Sequence, residues 1–225
     1  MNKSLIFLLD VSGSMTSDGK DTALLETMRR LENDVFPDIV LPEDLTLTVR
    51  IIAFGGNSST WVLGDEETGI PYTDFRWSDA ERNMPGFGGE TPLGSAIAKV
   101  VDTLYYRGDL ADPEQLAPAI ILISDGRPTD NYLTEVQRAI NMRTGAERQG
   151  LFSRSLRTTI GIGIGDDDVG RQMLKGFGRL SNSLRAQGLE TYYELGIHEL
   201  NQLGEIIKAV TQGFSVALPD NENAP

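Results

Sequence analysis

Five oxygen-bearing side chains stand where a hard metal ion could be bound. They are Asp10, Ser12, Ser14, Thr91 and Asp125. Carboxylate and hydroxyl oxygens, with no nitrogen or sulfur among them, are the donors that Mg²⁺ and similar cations prefer. The first three belong to one segment, DVSGS, in which alternate positions can converge in a tight turn, and Gly13 permits the backbone this requires. The set therefore predicts a site for one divalent cation.

The two carboxylates give an electrostatic reason for the same prediction. Asp10 and Asp125 each end an apolar run that indicates a buried strand, and we expect the two strands to be neighbours. Two carboxylates about 4 Å apart repel by roughly 4 kcal/mol at an effective dielectric constant near 20. A divalent cation would remove this repulsion, and so would a proton shared between the two groups.

Each residue also has a simpler interpretation as a cap or a turn residue. Asp and Ser after a strand commonly cap the next helix or form Asx turns. Thr91 followed by Pro92 suits the start of a helix, and Asp125 followed by Gly126 is by itself an ordinary turn. The metal interpretation depends on the three segments occurring together and in order.

Apolar strands and amphipathic helices alternate along the chain and would position these residues. Strands are predicted at about 4–9, 45–54, 118–124, 157–164 and 190–195, with a short antiparallel strand at 59–63. The alternation predicts an α/β fold with a doubly wound, mostly parallel central sheet, helices on both faces and one short antiparallel edge strand. Ligands of such sheets bind beyond the carboxyl ends of the strands. The five oxygen donors stand at predicted strand ends, or, for Thr91, at the start of a predicted helix.

Helical periodicity predicts the buried face of each helix between the strands. The predicted inward residues are Leu24, Met28, Leu31 and Val35; Leu93, Ile97, Val100, Val101 and Leu104; Leu133, Val136 and Ile140 in a helix over 131–148; Val169, Met173, Phe177 and Leu180; and Leu203, Ile206, Ile207 and Val210. Residues 64–90 are predicted to be a long connection with little regular structure. Residues 1–217 are predicted to form a single domain, with a disordered tail at 218–225.

Composition narrows the classes of function. The net charge of −13 disfavours nucleic acid and anionic membranes, which need Lys and Arg. The chain has no Cys and one His, which excludes a thiolate or His-rich zinc site. The apolar run from Leu5 to Leu9 is too short for the core of an export signal, so a cytoplasmic location is expected.

The motifs resemble those of von Willebrand factor A domains. FLLDVSGSM is similar to the first motif of the metal-ion-dependent adhesion site (MIDAS) of that family, GGETPLGSAI to the second, and ILISDGRPTD to the third. IGIGIGDD is similar to the strand that usually follows. The resemblance covers about residues 4–214. Within the family, the SGSM and LISDG segments look most like bacterial, TerY-like proteins of tellurium-resistance systems.

The resemblance implies a role for each motif residue. Ser12, Ser14 and Thr91 would offer hydroxyls to the metal, and Asp10 and Asp125 would bind it directly or through water. The metal would be Mg²⁺, with Mn²⁺ or Ca²⁺ as alternatives. A Glu or Asp of a partner protein would complete the coordination, so the resemblance implies a non-catalytic protein–protein interaction module. For a TerY-like protein, the partner would be a kinase or phosphatase encoded in the same operon.

Other functions remain open. LLDVSGS faintly resembles the haloacid-dehalogenase phosphatases, but their general acid would fall at Ser12, which is unsuited to that role at neutral pH. A subunit of a chelatase or ATPase assembly is a further alternative; the sequence contains no P-loop of its own. The acidic run Asp166-Asp167-Asp168 is interpreted as the start of a helix rather than a second cation site.

Overall fold

A central sheet with helices on both faces forms the core of the computed structural model, which describes residues 1–106, 115–144 and 148–216. The strands are β1 (Asn2–Asp10), β2 (Thr46–Gly55), β3 (Ser58–Leu63), β4 (Ile70–Pro71), β5 (Ala119–Ser124), β6 (Arg143–Thr144), β7 (Arg148–Gln149), β8 (Leu156–Ile162) and β9 (Tyr192–Leu195). The helices are α1 (Lys20–Arg30), α2 (Trp77–Asn83), α3 (Leu93–Tyr106), α4 (Tyr132–Asn141), α5 (Leu151–Arg154), α6 (Asp168–Phe177), α7 (Asn182–Ala186) and α8 (Leu203–Val216).

The strand order of the main sheet is β3-β2-β1-β5-β8-β9, and β4 also pairs with β2. The pairs β1–β2, β1–β5, β5–β8 and β8–β9 are parallel, whereas β3 and β4 run antiparallel to β2. The predicted fold class is confirmed, including the short antiparallel strand. The strand order reverses at β1, because the chain passes to β2 on one side and later to β5 on the other.

Both faces of the sheet are buried, which explains the continuous apolar runs of β1 and β5. Leu5, Phe7 and Leu9 pack into one core cluster, and Ile6 and Leu8 pack into the other. The first cluster lies against α1 and α8, and the second lies against α3 and α4. A strand that is covered on both faces needs apolar side chains at successive positions rather than at alternate ones.

A buried hydrogen bond joins the amino end of β1 to the last helix. Lys3 is 2% exposed, and its ammonium donates a hydrogen bond to the carbonyl of Phe214 in the last turn of α8. Burial lowers the pKa of Lys3 to about 8. An ammonium is well placed here because the last carbonyls of a helix are left without helical donors and carry the negative end of its dipole.

Two predicted helix faces were wrong in part. In α4 the buried residues are Tyr132 and Ala139, whereas Leu133 is 61% and Ile140 37% exposed, and the helix ends at Asn141 instead of 148. In α6, Gly170, Leu174 and Phe177 are buried, and Val169 is 53% exposed. Part of each prediction holds, because Val136 of α4 packs partly buried against the core and Phe177 of α6 is buried.

The connection 64–90 was also predicted incorrectly, because it contains β4, a short 3₁₀ turn at Tyr72–Asp74 and α2. Phe75 and Trp77 from this segment are buried in the core. The predicted disordered tail at 218–225 lies outside the described residues. Over the described ranges the helices are too short or too polar to serve as a membrane span.

Candidate metal site

The carboxyl ends of β1 and β5 bring Asp10 and Asp125 to the same edge of the sheet. Leu9 of β1 lies opposite Ile123 of β5 in a parallel register, so Asp10 and Ser124 occupy the next positions of adjacent strands. The Ser124 hydroxyl donates a 2.5 Å hydrogen bond to Oδ2 of Asp10. The predicted adjacency of the two strands is therefore confirmed, and it places the candidate site at the point where the strand order reverses.

Asp10 is fully buried and is held by neutral donors. Its Oδ1 accepts a 2.8 Å hydrogen bond from the Ser12 amide, and its Oδ2 accepts the bond from Ser124. Burial raises the pKa of Asp10 to about 6; the neighbouring Asp125 also raises it, and the bonds from Ser12 and Ser124 oppose the rise. Within the described residues, no basic side chain pairs with this carboxylate.

Hydroxyl groups connect the first motif to Asp125. The Ser14 hydroxyl donates a 2.7 Å hydrogen bond to Oδ1 of Asp125, and it lies 3.2 Å from the hydroxyl of Ser12. The short 3₁₀ turn Gly13–Thr16 after β1 produces this arrangement. Asp10, Ser12, Ser14 and Asp125 therefore form one connected cluster of oxygen atoms.

Backbone hydrogen bonds join the segment of Thr91 to both neighbouring loops. The Gly13 amide donates to the carbonyl of Gly89 at 3.0 Å, which ties this segment to the DVSGS loop. Thr91 exchanges bonds with Thr129, beyond Asp125: its amide donates to the Thr129 hydroxyl at 3.1 Å, and its carbonyl accepts from the Thr129 amide at 3.0 Å. Thr91 is 6% exposed.

Gly89 makes the close approach of the loops possible. It has a φ of +67°, and a Cβ atom at this position would lie 2.6 Å from the Cα of Gly56, beyond β2. Any larger residue would therefore be strained twice, by its backbone conformation and by collision with backbone. Gly89 is thus needed to pack the segment of Thr91 on the neighbouring loop.

Three polar residues at this edge were not predicted from the sequence. Ser124 binds Asp10, as described above. Asp130 accepts hydrogen bonds from the amides of Gly94 (2.8 Å) and Ser95 (2.9 Å), so it caps the start of α3, where Thr91 was the expected cap. Lys20, the first residue of α1, forms a 2.5 Å salt bridge with Oδ2 of Asp125.

The acidic run 166–168 serves the start of α6, as predicted. Asp167 accepts a 3.0 Å hydrogen bond from the Gly170 amide and pairs with the guanidinium of Arg127. These two donors hold the pKa of the Asp167 carboxyl below its usual value, the Arg127 contribution being the larger.

The donor chemistry of the cluster fits a hard cation. Residues 1–106, 115–144 and 148–216 contain no grouping of three or more His, Cys, Asp and Glu suited to a metal. The cluster instead combines two buried carboxylates with serine hydroxyls, which is an all-oxygen set of the kind that Mg²⁺ accepts while keeping several waters. The buried Asp10 carboxylate, held by neutral groups, supplies the charge that such an ion would balance.

A family model and several solved structures match this chain. The family model of the von Willebrand factor type A domain matches residues 4–182. No curated protein matches the chain. Proximal thread matrix protein 1 from the mussel byssus has a TM-score of 0.62 and 15% identity, over 94% of this chain and 48% of its own. That protein is also known with a zinc-occupied MIDAS motif.

Two further solved structures are similar. The von Willebrand factor type A protein from Catenulispora acidiphila has a TM-score of 0.61 and 16% identity, over 95% of this chain and 42% of its own. The pilus adhesin SpaC from Lactobacillus rhamnosus GG has a TM-score of 0.62 and 15% identity, over 95% of this chain and 31% of its own. This chain thus spans less than half the length of each of these proteins, and at such identities the likeness concerns the fold.

Proposed function

The chain belongs to the von Willebrand factor type A domain family, and we propose on that basis that it is a non-catalytic, metal-dependent protein–protein interaction module. A divalent cation, Mg²⁺ in the first instance, is held at the carboxyl ends of β1 and β5. An Asp or Glu side chain of a partner protein completes its coordination.

One observation carries this proposal: the Asp10 carboxylate is fully buried with only neutral hydrogen-bond donors among the described residues. A buried carboxylate without a cationic partner is costly, and a bound cation removes that cost. The neighbouring hydroxyls of Ser12 and Ser14 and the carboxylate of Asp125 supply further oxygen donors in the same cluster.

The proposed ligands are Asp10, Ser12, Ser14, Thr91 and Asp125. The hydroxyls of the serines and of Thr91 bind the ion without neutralising it, and the two carboxylates bind directly or through water. Because few anionic groups of the protein contact the metal directly, the metal stays electrophilic. This favours binding of a carboxylate from a partner. The zinc-occupied motif of the mussel protein supports a divalent cation in this fold, while the all-oxygen donor set favours Mg²⁺, with Mn²⁺ and Ca²⁺ as alternatives.

A thermal melt tests the metal site directly. Mg²⁺ added after EDTA treatment is expected to raise the melting temperature of the wild type, because a ligand at a hundred times its Kd adds about 2.7 kcal/mol of stability. Asp10→Ala is expected to abolish the rise. Asp79→Ala, at a half-exposed position of α2, is the control and is expected to retain it. A rise that persists in Asp10→Ala would place the metal elsewhere.

Partner binding is tested by immobilising this protein and measuring which other proteins it retains in Mg²⁺. Capture of a specific protein is expected to be lost in EDTA and in Asp10→Ala, and retained in Asp79→Ala. Capture that survives both EDTA and Asp10→Ala would contradict a metal-bridged interaction.

The alternative is a metal-dependent phosphatase, and the position of Lys20 is the observation that bears on it. The haloacid-dehalogenase resemblance needs an acid at position 12 and a lysine near the nucleophile. Position 12 is serine, and Lys20 contacts Asp125 rather than Asp10. Hydrolysis of a generic aromatic phosphate that requires Mg²⁺ and is abolished by Asp10→Asn would establish the alternative.

The biological setting is proposed from sequence motifs alone. SGSM and LISDG favour a cytoplasmic, TerY-like stress or tellurium-resistance role in a bacterium, with an operon-encoded kinase or phosphatase as partner. Participation in a chelatase or ATPase assembly is the other setting consistent with the family. Identifying the captured partner by mass spectrometry distinguishes the two.

A further inference from the structure

Lys20 places an ammonium group inside the cluster of proposed metal ligands. Its Nζ lies 2.5 Å from Oδ2 of Asp125 and donates to the carbonyl of Ser14 at 3.3 Å. The residue is 7% exposed, and the side chain of Asp125 is fully buried in this pair. Lysine is rarely buried unless paired, so the contact with Asp125 accounts for its position.

A backbone turn and a packing contact position Lys20 beside Asp125. Asp18 and Gly19, immediately before it, both have left-handed backbone, with φ values of 59° and 77°. This turn starts α1 directly beside the DVSGS loop. The aliphatic stem of Lys20 then lies against Gly163, where an added Cβ would approach its Cε to 3.2 Å.

The two carboxylates of the site are therefore in different electrostatic states. Asp125 receives the Ser14 hydroxyl on one oxygen and the Lys20 ammonium on the other. Asp10 receives the amide of Ser12 and the hydroxyl of Ser124. The chain thus neutralises one of its two site carboxylates with its own cation.

We propose that Lys20 is a built-in counter-cation that weakens divalent metal binding at this site. The inference rests on the proposed function and deepens it. A divalent ion entering the cluster meets a fixed positive charge already paired with Asp125, and like charges at this range repel. With the ion bound, two carboxylates, one ammonium and one divalent cation leave one net positive charge, which favours binding of a partner's carboxylate.

The test is the affinity of the protein for Mn²⁺ alone, measured by calorimetry and by electron paramagnetic resonance of the free ion. Lys20→Met keeps the aliphatic stem and removes the charge, and it is expected to lower the Kd for Mn²⁺ by about tenfold or more. Lys208→Met is the matched control, because Lys208 of α8 pairs with Asp38, and neither residue belongs to the cluster of proposed ligands. The control is expected to stay within about twofold of the wild type, because charge repulsion weakens with distance.

Lys20→Gln gives a second variant that retains a polar contact with Asp125 without the charge, and it is expected to shift the Kd in the same direction. Far-ultraviolet circular dichroism verifies that each variant is folded. An unchanged or raised Kd in the folded variants, with metal binding by the wild type, would overturn the role of Lys20 and leave the proposed function standing. Binding by the variants but not by the wild type would support the role of Lys20 and contradict the proposed function. No binding by any of them would overturn both.

Discussion

At the scale of single residues, the buried carboxylate of Asp10 links the candidate site to pH. Its pKa of about 6 in the folded protein is above the 3.8 of an ordinary aspartate, and burial is the main cause. Between these two values the folded state binds more protons than the unfolded state. The contribution of Asp10 to stability is therefore fully present below about pH 4 and is lost as the pH rises through about 6.

The pH prediction concerns the metal-free protein. In EDTA, Asp10→Asn is expected to have a higher free energy of unfolding than the wild type, and the difference is expected to be larger at pH 7 than at pH 4.5. Each unit by which the pKa of Asp10 is raised corresponds to about 1.4 kcal/mol. Urea denaturation at the two pH values measures this difference. Asp79→Asn controls for the change in net charge and is expected to show no such trend. A difference between Asp10→Asn and wild type that does not change with pH would mean that Asp10 titrates normally.

The proposed ligands are marked by signals in the sequence, whereas most of the residues that contact them are not. Asp10, Ser12 and Ser14 are marked by their spacing in one loop, and Asp125 by the apolar strand before it. Lys20 carries no local signal, because its partner is 105 residues away. Ser124 offered the one usable clue: as the last residue of a strand adjacent to β1, it had to lie beside Asp10.

At the scale of elements, the contact between the loops of Gly56 and Gly89 positions the segment of Thr91 against the DVSGS turn. Gly89 contacts Gly56 on one side, and its carbonyl accepts the Gly13 amide on the other. The geometry of the proposed ligands therefore depends on residues that donate nothing to a metal.

Substitution at Gly89 tests this dependence. Gly89→Ala is expected to destabilise the protein by more than the roughly 1–2 kcal/mol that left-handed backbone costs a residue with a Cβ, and to weaken metal binding, because the new Cβ would collide with Gly56. Gly188→Ala is the control: its φ is 85°, but a Cβ there meets nothing within 4 Å. Equal losses of stability in the two variants, together with unchanged metal affinity in Gly89→Ala, would contradict the positioning role.

The fold class and the positions of the strands followed from the sequence, because apolar runs bounded by Gly and Asp are strong signals. The orientation of the helices did not follow from it. In α4, the stripe Leu133, Val136 and Ile140 and the stripe Tyr132, Val136 and Ala139 share a residue and are equally spaced along a helix. Hydrophobicity favours the first, but the structure buries the second. Tyrosine and alanine fill the space at the α3 interface, and periodicity alone contains no information about that space.

At the scale of the whole molecule, the net charge of −13 acts on any cation that approaches. An acidic surface raises the local concentration of divalent ions at low ionic strength, and salt screens this attraction. The Debye length falls from about 10 Å at 0.1 M salt to about 3 Å at 1 M.

The Kd for Mn²⁺ is therefore expected to rise several-fold as NaCl increases through this range. Calorimetric titrations at fixed pH measure the effect, and sucrose at matched osmolality is the control that should leave the Kd unchanged. A Kd that is independent of NaCl would mean that the carboxylates of the site alone determine the attraction.

The bond between Lys3 and Phe214 has a mechanical consequence. It brings the start of β1 and the last turn of α8 to the same edge of the sheet, at the amino end of β1, whereas Asp10 lies at the carboxyl end. Tension applied between the start of β1 and the end of α8 would therefore load this bond directly. The strand end that carries Asp10 lies at the opposite end of β1 from both points of attachment.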